Sequence, residues 1–291
     1  MKHALWLITL VVFTLLGDRL GGSLLNRFVN NSQFRYSRLY KGEAKAQIAF
    51  LGNSRGLSFC EPYVQQITGR TSFNLSYNAM PMDLGYTLFR DYLERNPAPK
   101  KLIIEVSMCG LPNKELILIF GCYAPFSKSL SDLITAHDAK IGIAGQLINL
   151  IRYNGEVFQR TLYYLNRSDD NWLANRTISP GMIEGLALQK PYRFAFASED
   201  ILLNLVKTVK LAQQKGIEVK LVLNPYLPAF AKDKIKQLQP WKDKITAATG
   251  LPVADYSSAI QGNEFFTDYQ HLNLNGSLKY LSLLKKDAVF E

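Results

Sequence analysis

The chain of 291 residues is 47% hydrophobic and 20% charged, a composition that excludes disordered and fibrous proteins. Its 34 Lys and Arg outnumber its 24 Asp and Glu, but they are scattered, which favours a generally basic surface over a nucleic-acid-binding arm. Because there are three cysteines and no Cys-x-x-Cys pair, we expect no disulfide scaffold and no zinc site. We also expect no other metal, no cofactor and no nucleic-acid partner.

The N-terminus carries a targeting pattern. Residues 4–17 form an apolar block after a positively charged start, and a weaker apolar stretch, residues 20–25, comes next. Three interpretations stay open: an uncleaved signal anchor over residues 1–28, a cleaved signal peptide, and a buried core helix. The anchor is favoured because no small-x-small cleavage site ends the block cleanly. A positive end retained in the cytoplasm would place the rest of the chain outside it.

Residues 29–45 are polar and basic, and we interpret them as a stalk between the anchor and a folded domain over residues 46–291. Export would bring the cysteines into an oxidising compartment. Cys109 and Cys122 could then pair and leave Cys60 as an odd thiol. Three buried free thiols are the alternative.

Strands and helices alternate over most of the remaining chain. The strands are predicted over residues 46–51, 72–75, 101–106, 219–223 and 253–256, and the helices over 62–68, 83–96, 198–215 and 230–249. Residues at about 107–195 do not show this alternation of strands and helices and are predicted to be a mostly helical insertion. The alternation predicts a parallel sheet covered by helices, with any ligand site at the carboxyl ends of its strands.

A serine follows the first predicted strand at this edge of the sheet. Ser54 lies in a strand-to-helix turn, with Gly52 and Gly56 allowing the backbone to bend sharply. The positive end of a helix and an exposed hydroxyl suit a nucleophile. A phosphate-binding turn and a simple capping turn are the alternatives at this point.

A carboxylate and an imidazole stand three residues apart near the C-terminus. Asp268 and His271 can share one face of a turn, where the carboxylate orients the imidazole and leaves its second nitrogen free. By itself, His271 could equally be a surface histidine or a satisfied core histidine. A serine turn predicted at the same sheet edge favours a role as general base.

These two segments resemble the first and last motif blocks of the SGNH (GDSL-like) hydrolase superfamily. The sequence is also similar to its membrane-anchored, envelope-facing members, related to proteins of polysaccharide O-acetylation and teichoic acid D-alanylation, in the segments FLGNSR, FNLSYN, KLIIEVS and FTDYQHLNLNG. The resemblance implies a three-layer α/β fold with a flavodoxin-like parallel sheet, a mostly helical insertion and an N-terminal transmembrane helix. It implies Ser54 as nucleophile, His271 as base and Asp268 as the acid that orients it.

The middle motif blocks depart from the pattern of the superfamily. Ala79 stands where the superfamily has an oxyanion-hole glycine, and residues 106–113 do not align with its Gly-x-Asn-Asp block. The backbone amides of Ser54 and Ala79 are candidate oxyanion donors, with Asn78 and Asn113 as side-chain candidates. A weak hydrolase, a transferase that relies on a partner and an inactive relative all remain open.

The resemblance and the anchor together predict a single-pass protein of the bacterial cytoplasmic membrane with its catalytic domain on the periplasmic or extracellular side. The expected activity is that of a serine esterase or acyltransferase working on acyl groups, O-acetyl foremost, of an envelope or extracellular polysaccharide through an acyl-serine intermediate. The expected partners are this acylated substrate, the membrane and a multi-span membrane acyltransferase. A non-catalytic glycan-binding or scaffold protein of an envelope biosynthesis complex is the alternative.

Overall fold

The computed structural model describes residues 2–169 and 172–291, which fall into two compact units. One unit combines Met1–Glu43 with Lys114–Asp169, and the other combines Ala44–Asn113 with Asp170–Glu291. Of the insertion predicted at about residues 107–195, only residues 114–169 belong to the first unit. The later part stays with the second unit because it bonds to it, as where the Ile178 N–H donates to the Phe266 carbonyl (2.7 Å).

The α-helices and strands are numbered separately, in chain order. The helices are α1 (Lys2–Asn31), α2 (Arg35–Lys41), α3 (Glu61–Thr68), α4 (Met82–Arg95), α5 (Lys114–Ile119), α6 (Lys128–His137), α7 (Ala139–Leu147), α8 (Glu156–Tyr163), α9 (Pro180–Glu184), α10 (Glu199–Gln214), α11 (Pro228–Lys234), α12 (Leu238–Thr249) and α13 (Leu274–Lys286). The strands are β1 (Ile48–Leu51), β2 (Ser72–Asn74), β3 (Lys101–Glu105), β4 (Tyr192–Arg193), β5 (Glu218–Leu223), β6 (Ile235–Lys236) and β7 (Val253–Asp255). Short 3₁₀ helices lie at Ser54–Ser58, Val106–Cys109, Phe120–Phe126, Asn149–Tyr153, Gly185–Leu188 and Asn263–Phe265.

A five-stranded sheet lies at the centre of the second unit, in the order β2-β1-β3-β5-β7. Every neighbouring pair is parallel, and β1 and β3 are buried along their whole length. Buried strands of this kind need helices on both faces, and their order is that of a flavodoxin-like sheet. The predicted α/β fold with a parallel sheet is confirmed.

Helices cover the two faces of this sheet. On one side α4 packs against α10, which also contacts α12, while α3 packs against α13. Right-handed crossovers account for the two layers, because the chain moves from β1 to β2 in one direction and from β2 to β3 in the other. The helix predicted over residues 230–249 is interrupted, since residues 235–236 pair with β4 as the short strand β6.

In the first unit, α1 is exposed over its first half and packed over its second. Among residues 2–169 and 172–291, the segment His3–Asn31 is the one helix long and apolar enough to cross a membrane, with a mean hydropathy of 1.6 in its most apolar window. Residues 3–17 are all exposed, whereas Asp18, Gly22 and Val29 are buried.

Of residues 29–45, predicted to be a stalk, those up to Glu43 belong to the first unit and contribute to its core, and the last two belong to the second unit. The part in the first unit contains α2, whose Tyr36 is fully buried and packs edge-to-face on Phe120 at 4.9 Å. The buried Arg35 guanidinium pairs with the Asp169 carboxylate at 3.0 Å. The prediction was wrong because the aromatic residues of this segment have partners about 85 residues further along the chain, which a local reading of polarity does not reveal.

The three cysteines are buried free thiols, which is the alternative to a bridge between Cys109 and Cys122. Burial raises the pKa of both thiols well above the ordinary value, because the thiolate would lose its hydration. Neither side chain is therefore a reactive nucleophile at neutral pH.

Gly52 and Gly56, on either side of Ser54, are required because there is no room for a side chain at these positions. Neither Gly52 nor Gly56 is among the residues with a left-handed φ, so the sharp bend expected of them is not the reason for glycine. A Cβ atom on Gly56 would lie 2.3 Å from Ser76 Oγ, and one on Gly52 would lie 3.0 Å from Glu105 Cβ. The first turn after β1 therefore packs directly against the ends of β2 and β3.

We expect Gly56→Ala to destabilise the second unit by about 1–3 kcal/mol, because the added methyl group overpacks a filled site. Gly181→Ala is the matched control, since a Cβ atom there meets nothing within 4 Å. Urea unfolding of the full chain in detergent, followed by circular dichroism, measures both variants. Equal unfolding midpoints for the two variants would contradict the packing argument.

Candidate active site

Ser54 lies where β1 ends, at the carboxyl edge of the sheet. It opens a five-residue 3₁₀ helix, so the helix whose positive end it was expected to occupy is this short one, and α3 begins only at Glu61. The side chain of Asn53 caps this turn by accepting from the Arg55 N–H (2.9 Å) and by donating to Ser107 Oγ (3.2 Å). These bonds fix the backbone on both sides of Ser54.

Asp268 and His271 lie in a tight loop just before α13. A single antiparallel bridge between Phe266 and Leu272 closes the loop at its base. Asp268 Oδ1 accepts from the backbone N–H groups of Gln270 (2.8 Å) and His271 (3.0 Å). The carboxylate therefore holds the loop in shape while it also contacts the imidazole.

The structure brings the three predicted catalytic side chains into one hydrogen-bonded chain. Ser54 Oγ lies 2.8 Å from His271 Nε2, and His271 Nδ1 lies 2.9 Å from both Asp268 carboxylate oxygens. An ionised carboxylate can only accept, so His271 donates through Nδ1–H and a neutral ring keeps Nε2 as an acceptor for the Ser54 hydroxyl. This is the arrangement of a nucleophile, its base and an orienting acid.

The charge state of Asp268 suits that arrangement. Burial by itself would raise the pKa of this carboxyl group, but the hydrogen bond and charge of His271 and the two backbone N–H donors outweigh it and lower the pKa below the ordinary value. Asp268 is therefore ionised at neutral pH. It can orient a neutral imidazole and stabilise the imidazolium that forms when His271 takes a proton.

A pocket of about 530 Å³ opens beside Ser54 and His271. Such a volume falls within the range of roughly 300–1,000 Å³ typical of small-molecule sites. Its wall includes Trp172, whose ring lies edge-to-face against Tyr77 at 5.3 Å, and Arg176. A reactive hydroxyl, an aromatic ring and a guanidinium group thus line one cavity.

The oxyanion candidates separate into two groups. Asn78 and Ala79 line the pocket, and Ala79 has a left-handed φ of 53°, a conformation that favours the glycine expected there by resemblance. Asn113 does not line the pocket, and its amide donates to the Ala79 carbonyl at 3.0 Å. The expectation that Asn113 is a direct oxyanion donor is therefore corrected, because its side chain braces the turn that carries Ala79.

Sequence reasoning missed the residue next to the serine. The Arg55 guanidinium is buried, donates to the Gln270 carbonyl (2.7 Å) and the Asn224 carbonyl, and stacks over the Tyr226 ring at 3.4 Å from its centroid. Since Gln270 precedes His271, this side chain ties the serine turn to the histidine loop. Arg55 is thus a positioning residue for the triad.

A fully buried carboxylate, that of Glu105, balances the charge of Arg55. Its Oε1 lies 3.5 Å from Arg55 Nε, and its Oε2 accepts from Ser107 Oγ at 2.5 Å. The Asn224 side chain completes the cluster by donating to the Arg55 carbonyl at 3.0 Å. The sequence does contain one indication of this cluster: its charged and amide residues all lie at the end of a buried apolar strand or shortly after one.

The comparisons with known proteins give resemblance in fold only. No protein-family model and no curated protein matches the sequence. Among solved structures, the chain is similar to a protein of Bacteroides fragilis named as an acylhydrolase (12% identity, TM-score 0.40), covering 86% of this chain and 88% of that one.

Two further structures are similar at the same level. One is a GDSL-like lipase of Bacteroides thetaiotaomicron (14% identity, TM-score 0.40), covering 84% of this chain and 87% of that one. The other is a protein of Streptococcus pneumonia named after platelet activating factor (13% identity, TM-score 0.42), covering 98% of each chain. At these values the activity of this chain has to be argued from its own side chains.

We expect Arg55→Met to destabilise the second unit by about 3–5 kcal/mol, because it leaves the Glu105 carboxylate buried without its cation. Arg193→Met is the matched control, since Arg193 is exposed. Urea unfolding of the full chain in detergent gives the difference. Similar stability of the two variants would show that Arg55 does not hold the cluster together.

Proposed function

We propose that this chain is a membrane-tethered serine esterase or acyltransferase of the SGNH type. Its substrate is an acyl group, O-acetyl foremost, on a polysaccharide of the bacterial cell envelope. The observation that carries the proposal is the hydrogen-bonded chain from Asp268 through His271 to Ser54 at the wall of a pocket. This arrangement activates a hydroxyl for acyl transfer.

The proposed reaction uses this geometry. Ser54 Oγ attacks the acyl carbonyl carbon while His271 Nε2 takes the hydroxyl proton, and the tetrahedral oxyanion meets backbone N–H donors at Ser54 and Ala79. The carbon–oxygen bond to the leaving alcohol then breaks, and that alcohol takes the proton from Nε2. The acyl-serine passes its acyl group to water in a hydrolase, or to a sugar hydroxyl in a transferase, by the reverse proton movements.

Two features support an envelope polysaccharide as the acyl carrier. The pocket wall includes Trp172, an aromatic residue of the kind that can stack on a sugar ring, and Arg176, whose guanidinium suits the anionic groups that envelope polymers carry. The apolar helix α1 supports a tether that keeps the site near the membrane. A multi-span membrane acyltransferase is the partner that we propose as acyl donor.

One observation favours a second candidate, a non-catalytic glycan-binding or scaffold protein. Asn113 contacts the Ala79 carbonyl and is absent from the pocket wall, so the oxyanion hole has fewer donors than the superfamily pattern provides. Losing one such donor costs about 2.7–4 kcal/mol of transition-state stabilisation. A triad without adequate oxyanion support would bind a glycan without turning it over.

We expect a fluorophosphonate probe to label the full chain at Ser54, and Ser54→Ala to abolish both the labelling and the hydrolysis of an acetyl ester. Ser258→Ala, a change of an exposed serine, is the matched control and should retain both. Mass spectrometry of the labelled peptide locates the adduct. A folded wild-type protein that is not labelled would favour the non-catalytic candidate.

Asp268→Asn should lower the turnover of the acetyl ester by roughly 10³–10⁴-fold, because the amide loses the charge and can hold the wrong imidazole tautomer towards Ser54. His271→Ala, measured on the same ester, gives the reference for complete loss of the base. Unchanged turnover in both variants would remove these side chains from the mechanism.

The oxyanion assignments predict different losses for two asparagines. If the Asn78 side chain donates to the oxyanion, Asn78→Ala lowers kcat by roughly 10²–10³-fold with little change in KM. Asn113→Ala should cause a smaller loss, because the Ala79 N–H stays in place when only its brace is removed. The reverse order of the two losses in steady-state kinetics would contradict the placement of Asn113.

A further inference from the structure

The freely exposed part of α1 is too short to cross a bilayer. Its 15 exposed residues, 3–17, extend for about 22 Å along the helix axis, whereas the hydrocarbon core is about 30 Å thick. If α1 spans the membrane, the part of the helix that follows Asp18 must also lie at membrane depth. That part is packed against the rest of the first unit.

The polar groups at this level of α1 are satisfied by one neighbouring segment. The buried Asp18 carboxylate accepts from the backbone N–H groups of Asn149 (2.9 Å) and Leu150 (3.0 Å). Arg19 donates to the Leu147 carbonyl at 3.1 Å. These bonds hold residues 147–150 beside α1. They also give the Asp18 carboxylate and the neighbouring backbone groups hydrogen-bond partners, which polar groups need at the edge of a bilayer.

Around this junction the first unit exposes apolar side chains. Leu20 is 73% exposed and Leu24 is 52% exposed on α1. Helix α7 and the residues that follow it add five more apolar side chains, between 41% and 62% exposed. We call these seven residues the apolar collar: Leu20, Leu24, Ile141, Ile143, Leu147, Ile148 and Leu150. No charged residue occurs from Ile141 to Ile151. Leu150 packs against α1, since a Cβ atom on Gly21 would lie 3.2 Å from its Cδ2, so this exposed apolar surface adjoins the candidate membrane helix.

Cations occur at the borders of the apolar collar. Arg19 has a side chain that is 53% exposed, and the exposed Lys140 directly precedes the uncharged stretch. Long basic side chains of this kind extend to the headgroup phosphates while their stems stay in apolar surroundings. The surface thus has an apolar patch bordered by positive charge, as in helices that lie in a membrane interface.

We propose that the apolar collar lies in the interfacial region of the lipid bilayer, so that the first unit contacts the membrane beside α1. With this contact, the first turns of α1 after Asp18 also lie within the bilayer, so the embedded part of the helix is longer than residues 3–17. The contact also requires that α1 is retained, because cleavage of the apolar block as a signal peptide beyond Asp18 would remove the carboxylate that holds residues 149 and 150. This proposal does not depend on the acyl-transfer chemistry of the triad.

The test is a depth measurement on the full chain reconstituted in protein-free vesicles of phosphatidylcholine and phosphatidylglycerol. Leu147→Cys is labelled with the environment-sensitive fluorophore NBD, and the three native cysteines, all buried, stay unlabelled in the folded protein. Ser168→Cys is the matched control in the same unit. It is exposed and directly precedes Asp169, which pairs with Arg35 in α2, the helix that follows the C-terminal end of α1. That end of α1, at Asn31, lies about 20 Å along the helix axis from Asp18.

We expect the label at Leu147→Cys to shift to the blue and to be quenched several-fold more by nitroxide-bearing lipids than the label at Ser168→Cys. Soluble iodide should quench them in the opposite order. Ile143→Cys provides a second reporter in case the first variant does not fold. Equal quenching at the collar and control positions would overturn the proposal, and shielding that appears only in native membranes would assign the collar to a protein partner instead.

Discussion

The candidate site depends on a single buried ion pair at the carboxyl edge of the sheet. Arg55 follows the nucleophile candidate directly, and its guanidinium contacts the ends of β3 and β5 as well as the histidine loop. A buried guanidinium is tolerated only when a counter-charge and hydrogen-bond acceptors surround it. Glu105 and two backbone carbonyls provide them, so segments far apart in the chain are held at fixed distances.

The triad is the consequence of two local arrangements that this ion pair joins. On one side, the capped turn at Asn53 directs the hydroxyl of Ser54 out of the sheet. On the other, Asp268 shapes its own loop through backbone N–H groups and orients the ring of His271 with the same carboxylate. The geometry needed for proton transfer is therefore built before any substrate binds, which is the condition for efficient acid–base catalysis.

In the first unit, the contacts of Asp18 stabilise an acidic residue within an apolar helix. An uncompensated carboxylate would be costly at membrane depth, but Asp18 accepts two backbone hydrogen bonds from the segment that follows α7. The same contacts bring exposed leucine and isoleucine side chains next to α1. A residue that looks like the end of a targeting segment is thus the point at which the helix joins its folded unit.

Features that rest on local pattern could be predicted from the amino-acid sequence. The apolar runs that became β1, β3 and β5 are short, bounded by turn residues and buried, so their alternation with helices predicts the parallel sheet. Ser54, Asp268 and His271 were found because each stands at a recognisable motif at the end of an element. Their mutual distances were decided by the tertiary structure.

Features that depend on partners distant in the chain could not be predicted in this way and became visible in the folded structure. The segment predicted to be a stalk contributes to the core of the first unit, because Tyr36 and Arg35 find partners in residues beyond 113. Asn113 was predicted to be an oxyanion donor, but its amide contacts the Ala79 carbonyl, because its position relative to Ala79 is set by packing. Periodicity and motif report what a residue prefers, whereas burial, pairing and close approach depend on which surfaces the fold brings together.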